Sequence, residues 1–125
     1  MSSDTLASVV AWYCMGVGVL MLAWWVLSIR QGALRRPDRT PAEIRLHVVA
    51  EVLTAVVLLV GGASLAAGNG AGAALVGLGM LLYTVVTSPG YFLARREWAP
   101  VVMFALLSVL GVAAVVALLA SDLPL

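Results

Sequence analysis

A chain of 125 residues with 63% hydrophobic and 10% charged side chains, and a formal net charge of +1, is too apolar for a water-soluble domain, where about a quarter of residues are charged. One cysteine excludes an intrachain disulfide framework and paired-thiol redox chemistry, and one histidine excludes bis-imidazole haem ligation within a chain. The mean hydropathy of +1.10 leaves an integral membrane protein as the expectation, read as one membrane domain over residues 1–125.

Four apolar runs, at about 6–29, 43–66, 71–94 and 98–120, each hold about 20 residues or slightly more, the length that a ~30 Å hydrocarbon slab requires. The fold class expected is all-α, a four-transmembrane-helix bundle with short loops. The first run has no charge from Leu6 to Ile29 and is preceded by MSSDT rather than a basic segment. It reads as a retained helix, not a signal peptide. Its cytoplasmic end carries Trp24 and Trp25, which with Trp98 suit an interfacial aromatic belt.

All seven basic residues are arginines. Arg30, Arg35, Arg36, Arg39 and Arg45 lie in or beside the first loop, Arg95 and Arg96 in the third. The N-terminus, GNGAG (68–72) and SDLPL (121–125) have none. By the positive-inside rule both arginine loops are cytoplasmic and both termini face outward, in a membrane expected to be a prokaryotic plasma membrane. Arg35, Arg36, Arg39, Arg95 and Arg96 are candidate contacts for anionic lipid headgroups.

The second run opens with TPAE (40–43), in which Thr40 caps, Pro41 suits the first helical position and Glu43 closes a capping box. Within it, His47 and Glu51 stand one helical turn apart in otherwise apolar sequence. At 100° per residue they share a stripe with Glu43, Ala50, Thr54, Leu58, Gly61 and Leu65, opposite Val48, Val49, Val52, Ala55, Val56, Leu59 and Val60. The third run has a polar stripe of its own, Ala73, Gly77, Met80, Thr84, Thr87, Ser88, Tyr91 and Arg95. In an antiparallel pair, Glu51 and Ser88 would both lie roughly 10–12 Å from the cytoplasmic end, and His47 and Tyr91 about 6 Å. A ligand pocket of His47, Glu51, Thr84, Thr87, Ser88 and Tyr91 is the expectation, with Trp24 as a lid. Pro89 and Gly90 in TSPGY (87–91) interrupt the helix there and free a carbonyl.

Each signal has a structural alternative. Glu51 could join helices, His47 could merely orient it, and Thr84, Thr87 and Ser88 could bond carbonyls of their own helix. Gly16, Gly18, Gly77 and Gly111 fit close helix contact. One His and one Glu are too few for a closed metal site, and neither a catalytic constellation, a cofactor motif nor a nucleic-acid signature is recognised.

The runs MLLYTVVTSPGYF (80–92) and HVVAE (47–51) resemble small prokaryotic four-span membrane proteins of unknown function, over helices 2 and 3 only. That resemblance implies no activity. Small multidrug transporters share the size and span count, but their acid is in the first helix, which here has none. Three function classes stay open. The leading one is a homo-oligomer, expected to be a dimer, that binds a small cationic or amphiphilic ligand at the His47–Glu51 site or moves it with proton coupling. An accessory or lipid-binding subunit of a larger membrane complex is the second. A membrane-embedded enzyme acting on a lipid or quinone is the third.

Overall fold

The computed structural model describes residues 2–32, 41–87, 93 and 96–125, with the side chains of Pro41, Glu43 and Ile44 also outside the description. It is all-α: α1 (Ser3–Arg30), α2 (Pro41–Ala66), α3 (Gly72–Thr87) and α4 (Trp98–Ala120). Among the described residues, three helices are long and apolar enough to cross a membrane, over Ser3–Arg30, Arg45–Ala66 and Trp98–Ala120, and α3 is a shorter apolar helix of 16 residues. The chain is therefore an integral membrane protein. The part of the third run from Ser88 to Ala94, with Pro89 and Gly90, falls outside the described residues except for Leu93.

Local signals account for the helix ends. Ser2 caps α1 by accepting from the backbone N–H of Thr5 at 3.2 Å, satisfying one of the orphan donors of the first turn. Pro41 opens α2, where its missing N–H costs nothing. Thr40 and the Glu43 side chain, the other members of the expected capping box, lie outside the description. After α4 the chain turns back, so that the Pro124 carbonyl accepts from the backbone N–H of Ala71 at 2.7 Å and the last residues lie over the α2–α3 connection.

The helices pack in chain order, α1 on α2, α2 on α3 and α3 on α4, with slighter contact of α1 with α3 and α4. Glycines set how close α1 and α2 come. A Cβ at Gly18 would stand 2.9 Å from the Ala55 carbonyl oxygen, and one at Gly62 would stand 2.9 Å from that of Ala11. These two contacts run in opposite chain directions, so the pair is antiparallel. Gly77 and Gly111 likewise meet Leu58 and Leu82, whereas Gly16 faces open space. Across the bundle, the Tyr13 hydroxyl donates to the Leu107 carbonyl at 3.0 Å and ties α1 to α4.

The buried face of α2 consists of Glu51, Thr54, Ala55, Leu58, Gly61, Gly62 and Leu65, a three–four spacing. Five of these belong to the stripe read from the sequence. Ala55, placed on the outer side by that reading, is fully buried because the glycine face of α1 closes over it. On α3 the buried residues are Ala74, Gly77, Leu78, Leu81, Thr84 and Val85. Their centre is rotated by roughly 70° from that of the polar stripe, by helical arithmetic. The third helix covers both α2 and α4, so it buries its leucine side; of the described stripe residues, Gly77 and Thr84 are buried and Ala73 and Thr87 exposed.

Candidate functional site

Among the described residues, Glu51 is the buried acid, 8% exposed. It sits nearly three turns inside α2 and points toward Trp25 of α1. One carboxylate oxygen, Oε1, lies 3.2 Å from His47 Nε2, one turn earlier on the same helix. The other, Oε2, accepts from the indole N–H of Trp25 on α1. The Trp25 ring also meets the imidazole edge-on, with centroids 5.7 Å apart and planes inclined at 73°, an ordinary aromatic geometry. One tryptophan thus holds both members of the pair.

The site is polarised. The His47 side chain is 37% exposed against 10% for Glu51, so the imidazole is the open end and the carboxylate the closed one. Among the described residues no arginine is paired with Glu51, and no group of three or more His, Cys, Asp or Glu is placed to hold a metal. Both of its partners are groups that can be neutral. Chemically, the arrangement can hold a proton or exchange it for another cation.

The second half of the region lies one face further round α2. Ala50, Leu53 and Thr54 form a groove with Gly79, Tyr83 and Thr84 of α3, with a volume of about 390 Å³. Thr54 is buried, but its hydroxyl donates to the Ala50 carbonyl at 2.7 Å, so its methyl faces other atoms. Thr84 is buried as well. Thr87 is exposed and donates to the carbonyls of Tyr83 at 2.8 Å and Thr84 at 3.2 Å.

Of the residues expected to form a pocket, the structure therefore joins His47 and Glu51, places Thr84 in the neighbouring groove and leaves Thr87 bonded within its own helix. Ser88 and Tyr91 lie outside the described residues. Trp24 is half exposed, and the contact to Glu51 comes from Trp25 instead. Of the arginines proposed for lipid headgroups, Arg96 is exposed with a φ of 57°, and Arg35, Arg36, Arg39 and Arg95 lie outside the description.

The family model described as Domain of unknown function (DUF8058) matches residues 4–123, nearly the whole chain and all four helices. The chain belongs to that family. No curated protein and no solved structure matches the DUF8058 chain. The residue missed in the sequence was Trp25, and a signal for it exists. Trp25 is seven residues after Gly18, which places the two within about 20° on one helix face, whereas Trp24 is about 120° away. Once Gly18 is taken as a close contact with α2, Trp25 follows as its companion two turns on.

Proposed function

We propose that this protein binds a small cationic or amphiphilic ligand at Glu51 and exchanges it against a proton. The observation that carries the reading is a buried carboxyl in a membrane helix whose two oxygens meet an imidazole and an indole rather than a fixed positive charge. A charged side chain deep in a bilayer costs up to about 2.5–3.5 kcal/mol on translocon scales. Interhelical polar contacts in membranes average only ~0.6 kcal/mol. Two such contacts do not offset that cost, so helix joining alone is a poor reason to keep an acid there.

In the exchange, Glu51 carries either a proton or the cation. His47, at the open end, accepts the departing proton and passes it to the aqueous side, while Trp25 fixes the carboxylate orientation. A cation then replaces the proton at the carboxylate, so the site's charge is conserved. Thr84 borders the path from the α3 side. We place the arginine loops in the cytoplasm and both termini outside. A bundle of 125 residues is too small to enclose a wide pathway, so a dimer is the working form in this reading. Saturable binding of an organic cation by the purified chain, lost in Glu51→Gln, is the test. Equal binding by wild type and variant would refute it.

A further inference from the structure

Both oxygens of Glu51 are engaged, Oε1 by His47 Nε2 at 3.2 Å and Oε2 by the Trp25 indole N–H. The Glu51 side chain is only 10% exposed, so a cation cannot add to the carboxylate from outside. It has to take the place of one of the two partners. They are not equally held. Trp25 belongs to α1, which Gly18 seats tightly against α2, and its N–H reaches the closed side of the carboxyl. His47 stands on the helix of Glu51 itself, one turn earlier, with its side chain 37% exposed. A change of side-chain rotamer carries the imidazole outward without moving a helix. His47 is the exchangeable partner and Trp25 the fixed one.

What can fill the vacated place is defined by what stands there. The imidazole is flat, turns a ring nitrogen to Oε1 and lies beside the Trp25 indole, with ring centroids 5.7 Å apart. A replacement of similar size has to give Oε1 a donor, because a buried acceptor left without one is costly. A quaternary ammonium brings charge but no N–H. We infer that the cation of the Glu51 site is a compact, planar one with N–H donors on one edge, of the amidinium or imidazolium class, and that the His47 ring is its tethered stand-in, swinging out as the cation enters. This rests on the Glu51 reading above and adds the ligand class and the group it displaces.

The test uses the full chain in lipid nanodiscs, with radiolabelled acetamidinium and, separately, radiolabelled tetramethylammonium as probes and empty nanodiscs as background. The expected result is saturable acetamidinium binding by wild type, lost in Glu51→Gln, with tetramethylammonium bound far more weakly. Removing the tethered ring should free the place. His47→Ala should therefore bind acetamidinium about tenfold more tightly, as when an occluded state holding about nine molecules in ten is removed. A histidine that merely oriented Glu51 would give weaker binding instead. The second readout needs no variant. His47 is the single histidine, so its ring resonance in the NMR spectrum of wild type should shift saturably, with the midpoint of acetamidinium binding. This decides the matter even if His47→Ala folds poorly. Suppose Glu51→Gln abolishes cation binding, but His47→Ala binds no more tightly, the ring resonance stays unmoved, or tetramethylammonium binds at least as well as acetamidinium. Any of these overturns the inference and leaves the Glu51 reading standing. If Glu51→Gln binds as wild type, or wild type binds neither cation, both fall.

Discussion

Glu51 has two oxygens and gives one to each neighbour, His47 on its own helix and Trp25 on the next. The indole bond has a measurable consequence. Trp25→Phe keeps a ring against His47 but removes the donor to a buried carboxyl, and should cost about 1–2 kcal/mol in unfolding free energy. Trp24→Phe, on the exposed side, should stay within about 0.5 kcal/mol. Thermal unfolding of both variants in one detergent checks the contrast, and equal losses would remove Trp25 from its assigned place. Glu51→Gln is a second case. The amide oxygen still accepts from Trp25 and the amide nitrogen still reaches toward His47, without a charge to desolvate. Its unfolding temperature should match or exceed wild type, whereas a collapse would make Glu51 a structural pin. At this scale the sequence displayed the His47–Glu51 pair openly, since ionisable residues stand out in an apolar run. Trp25 was hidden because two adjacent tryptophans look alike until the helix face is fixed by packing.

Between helices, contact depends on what the backbone positions allow. A Cβ at Gly61 would lie 2.6 Å from the backbone nitrogen of Ala74, and one at Gly16 would meet nothing. Gly61→Ala should therefore destabilise by at least the 1–3 kcal/mol typical of overpacking, because backbone cannot swing aside as a side chain can. Gly16→Ala should be neutral or stabilising by about 0.5–1 kcal/mol, since alanine loses less entropy in a helix. Denaturation of the two variants side by side is the measurement. Spans and helix type were legible in the sequence because 3.6-residue periodicity and run length are local properties. The rotation of α3 was not. A helix with two neighbours buries a face that its own pattern of hydroxyls and glycines does not specify, and here Leu78 and Leu81 prevail over Thr87 and Met80.

For the molecule as a whole, the distribution of arginine predicts an orientation that can be measured directly. Cys14 is fully buried, so the native background to thiol labelling is low. Gln31→Cys, at the exposed end of α1, should react with a membrane-impermeant maleimide only after permeabilisation, and Asn69→Cys, exposed between α2 and α3, should react in intact cells. The reverse pattern would invert the topology and place the open His47 end of the site on the outer face. The DUF8058 family model matches residues 4–123, a range that includes Trp25, His47 and Glu51.

The most direct measurement of the central claim is the binding isotherm of acetamidinium to the nanodisc-held chain at about pH 5 and about pH 8, either side of the ordinary imidazole range. A proton taken up at the site opposes a cation there, so binding coupled to proton exchange weakens as pH falls. The account predicts weaker binding by wild type at the lower pH. Isotherms that superimpose at the two pH values would contradict it.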